Sequence, residues 1–141
     1  MINLYKAINY YIFYTVSKLY KKYEHHFKIG EAYYIGGSAL AGMTTGLLIL
    51  NIINIIGAFF QPTPIWLISK IFAYIPFVSG ITAIVIFGYK NFHLVVYDQI
   101  SKLEKSKRKA LGIIASIYFI TTFLIYFNIQ SIVRIIYSIT N

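Results

Sequence analysis

The polar residues that could do chemistry in this chain are few, and most of them sit inside apolar runs. Asn51 and Asn54 stand three apart, so a helix places them on one face. Thr44 precedes them, Lys70 follows beyond a proline-rich turn, and Asn128 lies in a third apolar run. An ion-coupled transporter needs a carboxylate among such groups. All four acids, Glu24, Glu31, Asp98 and Glu104, lie outside the apolar runs, which argues against proton-driven transport. Thr44, Asn51, Asn54, Lys70 and Asn128 therefore form a set that could line a pore. Hydrogen bonding between helices is the commoner use of such side chains in lipid. Lys70 snorkels to the interface by default, since a mid-membrane lysine costs ~2.5–3.5 kcal/mol; lining a watery path is the sharper alternative.

The remaining reactive types carry less. His25 and His26 are adjacent, so a helix points them roughly 100° apart and both cannot easily face one metal. His93, Glu24, Glu31 and Asp98 fall on the same expected side, but nothing has metal-ligand spacing, and no metal site is expected. There are no cysteines, hence no thiolate nucleophile and no disulfide. No Gly-rich phosphate loop, Gly-x-Ser-x-Gly or His-Glu-x-x-His occurs. The expectation is a non-enzyme without cofactor.

The elements that must hold these residues are apolar helices. The 141 residues are 58% hydrophobic and 12% charged, with a mean hydropathy of +0.66, a lipid-embedded composition and one domain by length. The run Ile35–Ala58 has no charged side chain, long enough for a helix to cross a hydrocarbon core of ~30 Å. Ser38, Gly42 and Gly46 repeat every four residues on one of its faces, and Gly37, Ala41 and Thr45 repeat one residue earlier. Such small faces let helix backbones approach, the main way helices associate where apolar burial gives no drive.

The fold class expected is all-α: a polytopic helical membrane protein with three transmembrane helices. An interfacial amphipathic N-terminal helix (1–30) carries a polar stripe of Asn3, Lys6, Tyr10, Tyr14, Ser17, Lys21 and Lys28, opposite Leu4, Ile8, Ile12, Val16 and Leu19. The spans are 33–58, 65–88 and 110–133. Pro62 and Pro64 mark the turn between the first two, and Pro76 is the expected kink or hinge of the second. Ser79, Gly80, Thr82 and Ala83 are its candidate contacts for the glycine face. The basic segment 89–109 is expected to continue the second span as a cytoplasmic amphipathic helix, with Ser106 capping the third. Lys105, Lys107, Arg108 and Lys109 there would meet anionic lipid head groups.

Charge placement orients these spans. Five basic residues (Lys6, Lys18, Lys21, Lys22, Lys28) precede the first span, and six (Lys90, Lys102, Lys105, Lys107, Arg108, Lys109) lie between the second and third. Only Lys70 and Arg134 fall on the other side. The positive-inside rule then puts the N-terminus in the cytoplasm and the C-terminus across an inner or plasma membrane. The same split accounts for the net charge of +9 without nucleic acid as a partner. Two functions fit: a homo-oligomeric assembly, including a pore or channel, or a non-conducting accessory or immunity-type protein that binds another membrane protein through the glycine-rich helix face.

Overall fold

A computed structural model describes residues 4–27 and 33–141, and every element among them is helical. The helices are α1 (Leu4–Phe27), α2 (Tyr33–Gly57), α3 (Ile65–Ile68), α4 (Ile75–Gly88), α5 (Phe92–Ser101) and α6 (Lys105–Thr140). Three stretches are long and apolar enough to cross a membrane: Tyr34–Gly57, Lys70–Ser101 and Lys105–Thr140.

The second helix is the hub, packed against α1, α4 and α6. It runs antiparallel to α4: Gly46 meets Pro76, Gly42 meets Ser79 and Gly80, and Gly57 meets Ile65. It runs in the same direction as α6, since Ala41 clusters with Ala115, Asn51 reaches Thr122, and Ala58 clusters with Ile129 and Val133. The starts of α2 and α6 thus share one end, the basic end, and the Phe59–Pro64 turn marks the other.

The first helix departs from the expected division of faces. Tyr10, Tyr14 and Ser17, read as a polar stripe, are buried, whereas Leu4 and Leu19 are exposed. Phe13 and Ser17 press on Gly37, where an added Cβ would lie 2.6 Å from Ser17 Oγ and 2.7 Å from the Phe13 carbonyl oxygen. The reason lies in tyrosine, whose ring is a large apolar body with a polar tip. Tyr10 packs edge-on to Phe87 and Phe92, and Tyr14 meets Tyr97 at 4.9 Å between ring centres. The ring decides the packing, and α1 becomes a member of the bundle.

The second apolar run is not one kinked helix. α3 ends at Ile68, Ser69 is extended (φ −128°, ψ 110°), and Lys70–Tyr74 winds as a 3-10 helix. Pro76 then falls in the first turn of α4. There its missing N–H is unneeded and its fixed φ suits the start of a helix. In an interior position it would remove a hydrogen bond and clash with the preceding turn, so the chain unwinds before Pro76 instead of bending at it.

The run also does not continue into a straight extension. Lys90 (φ 46°) and Asn91 (φ 56°) both take left-handed conformations and turn the chain after Gly88. α5 then packs on α1, with Val96 and Ile100 in the core beside Tyr10, Phe13 and Tyr14. Left-handed backbone costs a non-glycine residue ~1–2 kcal/mol; α5 burial on α1 offsets it. The third apolar run, 110–133, lies within one unbroken helix of 36 residues, α6, which extends past it at both ends. Glu104, not Ser106, stands at its cap position, with no side-chain capping bond.

Candidate functional site

Polar groups inside the bundle form a broken line along α2. At its upper part Tyr5 Oη donates to Thr45 Oγ1 at 2.9 Å, joining α1 to α2. The Thr45 hydroxyl lies 3.1 Å from Asn9 Oδ1 and 3.0 Å from the Ala41 carbonyl, and shares its single proton between them. Tyr118 of α6 meets Tyr5 edge-on at 6.3 Å, with its own hydroxyl buried beside that of Tyr5. Toward the turn end Asn51 Nδ2 donates across to the Thr122 carbonyl of α6 at 2.9 Å. Asn54 Nδ2 donates to the Leu50 carbonyl of its own helix at 2.7 Å. The Oδ1 atoms of both asparagines are buried without a partner, as is Trp66 Nε1.

The five pore-lining candidates are not brought together. Thr44 is fully buried and bonds back to the Leu40 carbonyl at 2.8 Å. Asn51 and Asn54 lie in the closed α2 seam, each about 1% exposed. Lys70 is exposed in the 3-10 segment, and Asn128 is exposed on α6, bonded to the Leu124 carbonyl of its own helix. No single face presents all five.

The helix-packing candidates split between partners within the chain. Gly37 faces α1, while Gly42 and Gly46 face α4. An added Cβ at Gly46 would stand 2.6 Å from Pro76 Cα, and one at Gly42 would run into the Ser79 carbonyl. Ala41 packs with Ile8, Ile12 and Ala115. Thr45 bonds to α1 as above. Ser38 is buried and donates to the Tyr34 carbonyl at 2.6 Å. The small residues thus hold three helices of the same chain, α1, α4 and α6, against α2.

Of the four head-group candidates, Lys107 pairs with Glu104 at 3.1 Å and Arg108 donates to the Ser101 carbonyl at 3.0 Å. Lys105 and Lys109 are exposed. His93 is buried, stacks on Tyr34 at 4.4 Å, and its Nδ1–H donates to the Phe87 carbonyl at 3.1 Å. These contacts tie the start of α5 to the end of α4 and to α2. Glu24, His25, His26, Lys28 and Glu31 lie outside the residues whose side chains are described. Among the described residues no group of three His, Cys, Asp or Glu gathers.

The sequence reading missed the Tyr5–Asn9–Thr45 cluster. A signal existed in α1: Tyr5 and Asn9 are four apart, so these two polar side chains share a helix face. The spacing of Thr121, Asn128 and Ser131 does place them on one face of a helix, and that face is the outward side of α6. That helix buries Ala115, Thr122, Ile129 and Val133. Thr121, Asn128, Ser131, Arg134 and Ser138 all lie exposed on the remainder. No protein-family model, curated protein or solved structure matches the chain.

Proposed function

We propose that this is a multi-pass membrane protein with three crossings that works as a homo-oligomeric assembly. The basic end lies in the cytoplasm, with the C-terminus across the membrane. The distribution of basic residues supports that orientation: only Lys70 and Arg134 belong to the turn end.

One observation carries the assembly: the exposed polar row Thr121, Asn128 and Ser131 on the outward side of α6. Polar side chains facing hydrocarbon gain from a hydrogen-bonding partner on another helix. A second copy brings the same row, and a rotationally symmetric ring closes it on itself. Three crossings are too few to enclose a path alone. In a ring the α6 rows would surround the axis, which is the pore form of this reading. The glycine face of α2 is already engaged by α1 and α4, so it is not the surface that joins copies.

The second reading is a non-conducting accessory protein that sets the same side of α6 against a different membrane protein. The mass of the protein in lipid nanodiscs at two protein-to-lipid ratios separates the two. One discrete multimer at both ratios is the expected result. A monomer at both would sink the assembly and leave the accessory reading.

A further inference from the structure

A groove of about 280 Å³ runs between α1, α2 and α4, open on its outer side. Gly42, Thr45, Val78, Thr82 and Ile86 line it, with Asn9 contributed by α1. Most of its polar groups already have partners. Thr45 bonds to Asn9, and the Thr82 hydroxyl donates to the Val78 carbonyl at 2.8 Å. Beyond the Ser79 hydroxyl a polar ligand would find little to bond, whereas an apolar chain would find a wall of methyl and methylene groups.

The groove has a direction. Val78 lies at its deep end and Ile86 toward the basic end, eight residues of helix and so about 12 Å apart. One leaflet of hydrocarbon is roughly 15 Å thick. Ile86 is also a wall of a second hollow at that end, shared with Tyr89, Lys90, Phe92 and Val95. Lys90 Nζ stands 5.3 Å from the Tyr89 ring centre. A second ammonium comes from α1: Lys6 Nζ stands 5.5 Å from the ring of Tyr10, which packs on Phe92. Among the described residues neither lysine forms an ion pair. A groove of about 260 Å³ on the other side of α1 is lined by Tyr11, Thr15, Leu40 and Ser116 among others, with no cation along it.

We infer that the α1–α2–α4 groove seats one acyl chain of an anionic glycerophospholipid, with its phosphate at Lys90. This rests on the membrane reading above and is independent of the assembly. The occupant follows from the arrangement: an apolar slot about one leaflet deep, ending in unpaired positive charge. Lys90 lies in the hollow that adjoins the slot at Ile86, four residues on from it.

The test uses full-length protein in mild detergent with equal amounts of chain-matched phosphatidylglycerol and phosphatidylcholine, read by native mass spectrometry. One phospholipid retained per chain is expected, with phosphatidylglycerol favoured about five-fold, the increment of one interfacial cation. Lys90→Gln should keep one bound lipid but bring the ratio toward one. Thr82→Phe, at an exposed position, should displace the lipid, and Val78→Trp serves as a second filling variant if the first misfolds. Retention unchanged in the filling variants, or an undiminished preference in Lys90→Gln, would overturn the site. So would loss of a dimer, rather than of a lipid, on filling the groove. The number of chains per particle is read in the same spectrum, so a monomer carrying one phosphatidylglycerol would sink the assembly alone. Release of the protein from carbonate-washed membranes would instead sink the membrane reading.

Discussion

At the scale of the residue, space and hydrogen-bond supply decide what a substitution does. Gly42 has the Ser79 carbonyl, Gly80 Cα and Ala83 Cβ where a side chain would go, so Gly42→Ala must push α4 away. The expected cost is ~1–3 kcal/mol, seen as a lower thermal or denaturant midpoint. Gly88 is the control: an added Cβ would meet only the Tyr34 ring, at 3.5 Å. Gly88→Ala should be neutral or gain ~0.5–1 kcal/mol from the better helix residue. Asn51 makes a different case. Its bond to Thr122 is worth about 0.6 kcal/mol in a membrane setting, while its orphaned Oδ1 costs roughly 1–3 kcal/mol. The orphan outweighs the bond, so Asn51→Leu should leave stability unchanged or raise it. If the assembly conducts, Asn51→Leu and Asn54→Leu should leave conductance as it was, because both lie in a closed seam. Asn128→Leu should change it. The reverse pattern would put the path along α2.

At the scale of the element, the two irregular joints are where the chain is set. Pro76 stands in the first turn of α4, so Pro76→Ala should alter stability by no more than about 1 kcal/mol. An interior proline would give a gain near 3 kcal/mol on removal, and a gain of that size would show that Pro76 works as a kink. At the other joint Asn91 is left-handed, a conformation asparagine tolerates and a β-branched residue does not. Asn91→Val should lower stability by ~1–2 kcal/mol, and Asn91→Gly should not. Measured melting midpoints of the two variants, taken together, report on the turn and not on the loss of the amide.

At the scale of the whole molecule, the orientation can be read directly because the chain has no cysteine of its own. Single substitutions Lys105→Cys and Asn141→Cys occupy the two ends of α6. In intact cells a membrane-impermeant thiol reagent should label the second and spare the first until the cells are opened. Labelling of both, or of the first alone, would overturn the topology. The bundle itself is asymmetric. α2 is wrapped by three partners, whereas α6 keeps a single inward seam and turns most of its surface outward. A helix so little covered is the natural place for another copy or another protein to dock.

What the sequence determined by itself was the helical class, a long uncharged run from Ile35 to Ala58 and the positions of its small residues. These follow from composition and from the four-residue period of Gly42 and Gly46, local quantities that need no partner to be read. Only the tertiary structure decided which partner each small residue meets, because Gly37 and Gly42 carry the same signal yet face α1 and α4. It also decided that α1 belongs inside the bundle, since Tyr10 and Tyr14 read as polar by type but pack by the area of their rings. The break at Ser69 and the turn at Lys90–Asn91 were likewise out of reach. Neither residue type requires those backbone angles, and the conformation persists because α2 and α1 hold the segments on either side.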